Sequence, residues 1–483
     1  MAYEEILRRL EARQAALAEE ARMVRTGLKA RPDFSAVHEA SAGLFAQETI
    51  MEVRELIERA PQPKKREQME RALFALLEGA VSEEAFPIEE RLRTETDALE
   101  TDWEGGKIAY ADLPARIGAE PSYEKRDALY RLQADLAERL TPLRLDLEHA
   151  TRQKLASFGF RTEREYCETK KRLRYDLFLA KALPILEETT GLYRRVMSDA
   201  MRRAYGKDLG EIGAAHALHW RAGWEFDRLF PSEKIAALGT DAFATIGLQI
   251  RRGDGGQRVV AGECQVPGPQ SGYRNLRAFL HENVHAAHAD ETDPSLPYEW
   301  RDLPRSEALA EAFAVLVEQL PQNPLWLEHV MHVPKGAAER LSAWSLLDDL
   351  YALRRRMATL SCGLAIDEKP YDAGRNSGLY AATLKDLTGF ADEPEFWLED
   401  RAPGFRDADE LRGWIASAQI EEHLIRRFGD RWFLKRETGP FLKSLFAKGC
   451  SWSVEELVQS LGMTAWDPLP LIRKFDGVSK LLR

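Results

Sequence analysis

The five residues His-Glu-Asn-Val-His at positions 281–285 constrain the fold more than any other part of this sequence. Two histidines four residues apart share one face of an α-helix, so both imidazoles can reach a single metal ion if the segment is helical. Glu282 can then take a proton from water on that metal. The apolar side chains that would dock such a helix on the protein are Leu276, Phe279, Leu280 and Val284. We therefore predict a helix from Leu276 to Glu291 that carries Zn²⁺ on His281 and His285.

A catalytic zinc ion needs a third protein ligand and one position left open for water. His288 follows the motif on the same predicted helix, but residues 281 and 288 lie about 10 Å apart along a helix axis. That separation is too large for both side chains to bind one ion at about 2.1 Å. We therefore predict that His288 either supports the ligands from behind or is exposed.

A second predicted helix, from Ser306 to Glu318, carries glutamates at spacings of four and seven residues. Glu307, Glu311 and Glu318 therefore form one stripe, and like charges at such spacing weaken an isolated helix. An exposed acidic face is one explanation, but the residues between the glutamates are mostly apolar. A nearby cation explains the stripe better, so we predict that at least one of the three is a zinc ligand.

The two predicted helices resemble those of the thimet oligopeptidase and oligoendopeptidase F group of zinc peptidases, which are related to angiotensin-converting enzyme. In that group a histidine often follows the metal motif after three residues, as His288 does here. Its zinc-binding glutamate is followed by another after seven residues, a spacing that Glu311 and Glu318 match. Glu307 and Glu311 instead match the pattern of angiotensin-converting enzyme, in which an acidic residue follows the zinc-binding glutamate after four residues. The resemblance implies Glu311 as the third ligand and Glu307 as the alternative, with the other carboxylates supporting the ligands.

This resemblance covers roughly residues 240–470 of the chain. Gly262–Cys264 and Tyr273–Leu280 resemble the lead-in to the metal helix in that group, and Phe428–Trp432 and Gly439–Leu442 resemble its closing helices. It implies a helical zincin, one bound Zn²⁺ and hydrolysis of peptide bonds in short peptides. The bare motif does not distinguish cleavage inside a peptide from cleavage at its end. A helical binding protein with incidental histidines and no metal is the alternative from a different class.

The chain departs from the peptidases in a Gly-rich segment where they carry tyrosines that help to hold the oxyanion. The corresponding residues, 404–414, contain no tyrosine. Arg406 and Arg412 are the polar candidates there, because a guanidinium is permanently charged and rich in donors. Solvent-facing helical arginines are an equally good explanation, and His423 and Tyr380 are weaker candidates elsewhere. If nothing replaces the tyrosines, the chain is a metal-binding helical scaffold with weak or lost catalysis.

Charge and composition exclude several classes of partner. The 483 residues carry a net charge of −11, which argues against nucleic acid or an anionic membrane as the main partner. We expect neither a secretory leader nor a membrane span, because no suitable apolar run occurs. The cysteines are far apart in sequence, as expected of reduced thiols, at positions 167, 264, 362 and 450. We therefore expect a cytoplasmic protein whose partners are short peptides.

Helical periodicity dominates the remaining sequence. One helix is predicted to end near Pro32, and amphipathic stretches follow at about 37–60, 65–79, 86–102, 122–155 and 176–205. We divide the chain near Gly206 into an N-terminal helical region, 1–205, and a zinc-peptidase catalytic region, 206–483, packed as one body.

A β-hairpin is predicted just before the metal helix. Ile246, Leu248 and Ile250 alternate with small or polar residues, and Val259–Ala261 follows a glycine-rich turn. A strand there could hold an extended peptide beside the metal, and a purely structural hairpin is equally compatible with the pattern. The expected fold is mostly α: a large helical zincin body with a small β-sheet beside the metal helix and a deep substrate cleft.

Overall fold

Helices form nearly all of the regular structure in this computed structural model, which describes residues 2–25, 28–29, 31–250 and 272–482. The α-helices are α1 (Tyr3–Arg25), α2 (Phe34–Ala40), α3 (Gln47–Arg59), α4 (Pro63–Ala98), α5 (Leu113–Ala119), α6 (Tyr123–Ser157), α7 (Glu163–Lys171), α8 (Tyr175–Tyr205), α9 (Ala214–Arg221), α10 (Ile235–Thr245), α11 (Gly272–Glu291), α12 (Tyr298–Arg301), α13 (Ala308–Glu318), α14 (Pro324–His329), α15 (Lys335–Glu368), α16 (Ala373–Thr388), α17 (Arg406–Phe428), α18 (Thr438–Phe446), α19 (Val454–Ser460) and α20 (Leu469–Phe475). Short 3₁₀ segments lie at Tyr110–Asp112, Leu209–Glu211, Trp224–Leu229, Ser232–Lys234, Leu320–Gln322, Pro394–Trp397, Pro403–Phe405, Trp432–Leu434 and Asp476–Leu482.

The mostly helical fold is confirmed, and local signals explain several of the helix ends. Ser122 caps the start of α6 by accepting a hydrogen bond from the Lys125 amide, and Gly206 ends α8 in the left-handed conformation. The predicted break between residues 79 and 86 is wrong, because α4 continues through it with Pro87 inside the helix. A proline removes one backbone hydrogen bond, but α4 also packs against α6 and α3, which hold it in place.

The β-sheet of the described residues lies in the N-terminal region and not beside the metal helix. Strands β1 (Glu100–Trp103) and β2 (Gly106–Ala109) pair antiparallel, with Glu100 opposite Ala109. The two-residue turn between them, Glu104-Gly105, has positive φ at both positions, as tight hairpins require. The predicted hairpin before α11 is not seen at residues 246–250, which form a turn and irregular chain, and its remainder with Cys264 lies outside the described residues.

Apolar contacts join the two halves of the sequence. One buried cluster contains residues from α8, such as Ile185 and Val196, together with Leu347 and Leu350 of α15. A second cluster surrounds α11 and α13 and includes Leu280, Val284 and Phe313, so both helices that carry the motif residues are anchored in a core. Among the described helices, none combines the length and the apolar character that crossing a bilayer would require.

Candidate metal centre

Helix α11 presents its two motif histidines together at the edge of a core. Its opposite face is buried through Leu276, Leu280 and Val284, which fixes the rotation of the helix. His281 and His285 are therefore only partly covered, and their Nε2 atoms lie 3.1 Å apart. The helical spacing predicted from the sequence does place both imidazoles on one side.

Glu311 of α13 completes a group of three possible metal ligands. One carboxylate oxygen, Oε2, lies 3.6 Å from Nε2 of His281, and Oε1 lies 3.8 Å from Nε2 of His285. A tetrahedral zinc ion with bonds of about 2.1 Å separates its ligand atoms by about 3.4 Å. Two nitrogens and one carboxylate at these separations match both the donor types and the spacing that zinc prefers.

Close packing of α17 on α13 holds Glu311 in place. Gly413 of α17 faces Glu311 directly, and a Cβ at position 413 would lie 2.7 Å from the Glu311 Cβ. Such a contact is far shorter than carbon atoms tolerate, so glycine is needed for the two helices to approach this closely. Glu311 is buried, with its side chain only 5% exposed, and burial raises the pKa of its carboxyl group above the usual range.

A chain of hydrogen bonds supports His281 from behind. Its Nδ1 lies 2.9 Å from Oε2 of Glu318, while the other oxygen of Glu318 accepts bonds from Arg277 Nη2 at 2.6 Å and Nε at 3.0 Å. Arg277 also donates from Nη1 to Oδ1 of Asp349 at 2.7 Å. A carboxylate on Nδ1 fixes the ring orientation and leaves Nε2 directed at the metal position.

Charges around the two histidines differ. Burial, and then the proximity of His281, lowers the pKa of His285 to about 3, so its ring is neutral and its nitrogen can accept a metal. Burial also acts to lower the pKa of His281, but the hydrogen bond and charge of Glu318 raise it above the usual range. Burial would raise the pKa of Glu318, yet Arg277 and His281 hold it at about 2. Glu318 is therefore an anion beside His281.

Glu282 lines the same cavity as two of the proposed ligands, His281 and Glu311. The cavity has a volume of about 340 Å³ and is bounded by α11, α13, α15 and α17. Glu282 is partly exposed and makes no ion pair or hydrogen bond within the described part of the chain. A second cavity of about 630 Å³ adjoins it at Arg406, which lines both.

Glu307 and His288, which the sequence also offered as site residues, do not join the three possible ligands. Glu307 precedes α13 and lines the second cavity, so the structure does not bring it to the two histidines. The ring of His288 packs against Phe313 and Phe446, at 5.1 and 5.4 Å between centroids, behind the ligands. Burial lowers the pKa of His288 to about 4. The ring is therefore packed between aromatic side chains, which argues against the exposed alternative predicted for this residue.

Of the two arginines predicted as oxyanion donors, only one lies near the possible ligands. Arg406 reaches the site, with Nη2 at 3.5 Å from Oε1 of Glu311, and its side chain is 60% exposed. Arg412 does not, because its guanidinium is buried and donates to both oxygens of Glu455, at 2.9 Å each, and to Ser306. The physical reason is helical phase: residues six apart on α17 point in different directions.

The weaker candidates also lie elsewhere. His423 stacks on Phe441, with 5.5 Å between ring centroids. Tyr380 is buried and donates to Asp400. Neither side chain lines the cavity that contains the motif residues.

Sequence reasoning missed several charged residues that line or support this cavity. Arg277 lies four residues before His281, so the helical spacing used for the motif could have located it. Glu410 stands four residues after Arg406 on α17, and its carboxylate accepts hydrogen bonds from Arg356 and lies 3.3 Å from Arg406. Arg356 and Asp349 come from α15, for which no short motif gives a signal.

A second close group of carboxylates lies away from the cavity of the ligands. Glu148, Glu163 and Asp367 also bring three oxygens within 4.8 Å of one another. Arg401 pairs with both glutamates, and Arg152 pairs with Glu148 and Asp367. These carboxylates therefore already have cationic partners.

Comparisons with known proteins identify the fold. No protein-family model matches the sequence, and no curated protein matches it. Among solved structures, the chain is similar to PZ peptidase A with inhibitor 2, with a TM-score of 0.62 and 13% identity over 93% of this chain and 85% of that one. It is equally similar to oligoendopeptidase-F from Enterococcus faecium, with a TM-score of 0.62 and 14% identity over 99% and 92% of the two chains. The chain therefore has the mostly helical oligoendopeptidase fold.

Proposed function

We propose that this protein is a zinc-dependent peptidase that hydrolyses peptide bonds in short peptides. The observation that carries the proposal is the convergence of His281, His285 and Glu311 in a chain with the fold of peptidases. Glu282 lines one cavity together with His281 and Glu311. A fold alone does not establish an activity. The donor atoms and their spacing supply the independent argument.

His281, His285 and Glu311 would hold one Zn²⁺. When bound, zinc polarises the carbonyl of the scissile bond and lowers the pKa of water to about 7. Three protein ligands leave one position for substrate or water, as catalytic zinc sites require. The neutral ring of His285 can bind the metal directly. The buried carboxyl group of Glu311, whose pKa is raised, has only to release any proton that it holds.

Glu282 is the general base of the proposed reaction. Its carboxylate takes a proton from the attacking water and later delivers that proton to the leaving amine. The carboxylate is free of ion pairs among the described residues, so its oxygens are available to accept a hydrogen bond from the attacking water.

Arg406 is the remaining candidate for holding the developing oxyanion. It lies beside Glu311 and faces the cavity, whereas Arg412 is fully engaged by Glu455. A guanidinium donates hydrogen bonds without titrating, so it can replace the hydroxyl that the peptidases supply with tyrosine.

Short peptides are the proposed substrates, and the cytoplasm is the proposed location. The name oligoendopeptidase-F, printed for one structural neighbour, and the two adjoining cavities of about 340 and 630 Å³ support a peptide-sized ligand. Cys167, Cys362 and Cys450 are unpaired, as expected in a reducing compartment.

A metal-binding scaffold with weak or lost catalysis is the second candidate. One observation favours it: no tyrosine lines the cavity of the ligands in the described part of the chain. Tyr273 on α11 is buried and pairs with Ser345, so it cannot serve as the donor without leaving that bond. Zinc content without peptide turnover would identify this alternative.

Metal analysis combined with a peptide digest tests the proposal. The protein is purified without chelator or metal-affinity tag, its zinc is measured, and it is incubated with a mixed peptide library. We expect one zinc per chain and cleavage that stops with chelator and returns with added zinc. Cleavage that is unaffected by complete removal of metal would contradict the proposed mechanism, and absence of zinc would contradict the site.

A further inference from the structure

Two arginines share one carboxylate at the side of the metal-centre cavity. Glu410 accepts a hydrogen bond from Nε of Arg356 through Oε2, and its Oε1 lies 3.3 Å from Nε of Arg406. Both guanidinium groups and Glu410 line the cavity that contains His281 and Glu282. Glu410 therefore holds the two cations side by side despite their mutual repulsion.

Arg356 has unused donors at this position. Only its Nε bonds to a side chain, and no other hydrogen bond of its guanidinium occurs among residues 2–25, 28–29, 31–250 and 272–482. Its side chain is 35% exposed. The terminal nitrogens Nη1 and Nη2 form the planar fork that binds a carboxylate with two parallel hydrogen bonds.

The charge of the cavity favours an anionic ligand once metal is bound. Five arginines and six carboxylates line it. A divalent cation on neutral histidines would change this balance from one excess negative charge to one excess positive charge. One carboxylate on the ligand would neutralise that excess, and the open fork of Arg356 is where it can be bound.

We propose that Arg356, held beside Arg406 by Glu410, binds a carboxylate group of the substrate. Contacts run from Glu311 through Arg406 and Glu410 to Arg356, so this carboxylate lies within one or two residues of the scissile bond. It comes either from the free C-terminus of a peptide or from an acidic side chain. This assignment rests on the proposed peptidase function, in which Arg356 is a specificity-determining residue.

Equilibrium binding tests this assignment without requiring turnover. Calorimetry compares acetyl-phenylalanine with acetyl-phenylalanine amide, and acetyl-glutamate amide with acetyl-glutamine amide, on the zinc-supplied protein. We expect at least one carboxylate ligand to bind about 10-fold or more tightly than its amide, because charge-assisted bidentate bonds are the strong ones. The first pair reports on a C-terminal carboxylate and the second on an acidic side chain.

Two variants separate Arg356 from other causes. Arg356→Met should remove the preference for carboxylate, whereas direct binding of the carboxylate to zinc would survive this change. Arg340→Met is the matched control, because Arg340 is exposed on the same helix and about 24 Å away along its axis. The preference should persist in that control.

Each outcome decides the assignment. Equal binding of carboxylate and amide in the wild type, no binding of either, or a preference that persists in Arg356→Met would overturn it. Loss of the preference in Arg356→Met alone would support it. A protein that shows this binding but hydrolyses no peptide would contradict only the proposed function, so the two failures are distinguishable.

Discussion

Two groups of three possible metal ligands in this protein differ in their donors and in the charges around them. Around Glu311 the neighbours are two imidazoles whose Nε2 atoms lie 3.6 and 3.8 Å away. Around Glu148, Glu163 and Asp367 the neighbours are two arginines, which already form ion pairs with all three. Imidazoles can be neutral and bind a metal, whereas arginines stay charged and do not. The group with two imidazoles is therefore the better metal site of the two, because its donors include two imidazole nitrogens and only one carboxylate.

The largest expected effect separates the two groups by chemistry. Glu282→Gln should reduce peptide hydrolysis by about 10³-fold or more while zinc content stays unchanged, because a base is lost and the ligands are intact. Asp367→Asn, the same carboxylate-to-amide change in the arginine-paired group, should leave hydrolysis per folded molecule near that of the wild type. Steady-state kinetics and metal analysis on both variants give the comparison. Wild-type turnover in Glu282→Gln would remove this residue from the mechanism.

The arginine-paired carboxylates should matter for stability rather than for hydrolysis. Arg401→Met leaves Glu148 and Glu163 buried without one of their cations, and we expect it to lower the free energy of unfolding by about 3–5 kcal/mol. Its zinc content should not change. Chemical denaturation measures the loss, and a variant as stable as the wild type would show that these carboxylates do not depend on Arg401.

Replacement of the third ligand should distinguish the two glutamates that sequence alone left open. Glu311→Ala should weaken zinc binding by more than about 100-fold, the upper end of what supporting residues contribute. Glu307→Ala should leave zinc affinity nearly unchanged, since Glu307 lines the neighbouring cavity. Competition with a fluorescent zinc chelator measures both. The reverse order would assign the third ligand to Glu307.

The smallest effect concerns the arginine beside the site. Arg406→Ala should lower kcat by about 10–100-fold, below the largest losses for a buried oxyanion donor because its side chain is 60% exposed. Zinc content should change little. Arg412→Ala should instead lower stability and leave kcat per folded molecule close to that of the wild type. Near-wild-type kcat in Arg406→Ala would leave the oxyanion donor unassigned.

The sequence predicts what depends on local spacing. His281 and His285 lie together because four residues make about one helical turn, and Glu311 is within reach of them because α13 packs directly on α11. Spacing could not decide between Glu307 and Glu311, which depends on where α13 begins. The structure starts that helix at Ala308, which leaves Glu307 before the first turn.

Long-range packing explains the features that the sequence did not predict. Asp349 reaches the cavity because α15 contacts α11 through its bond to Arg277, about 70 residues away in sequence. Arg356 reaches it because α15 packs on α17, where Glu410 binds it. Helix α4 continues past Pro87, and it packs against α6, which lies far along the sequence. Residues 100–102, predicted as the end of an amphipathic stretch, instead lie in strand β1, which pairs with β2. Each case is decided by partners that are distant in sequence.

The contact between Gly413 and Glu311 has a consequence for the order of events during synthesis. The two ligand helices end at Glu318, but α17, which holds Glu311, begins at Arg406. At about 5–20 residues per second, a ribosome needs roughly 4–18 s to cover that interval. A nascent chain would expose both histidines long before the helix that positions the glutamate exists. Tight capture of the metal should therefore follow the emergence of α17, late in translation.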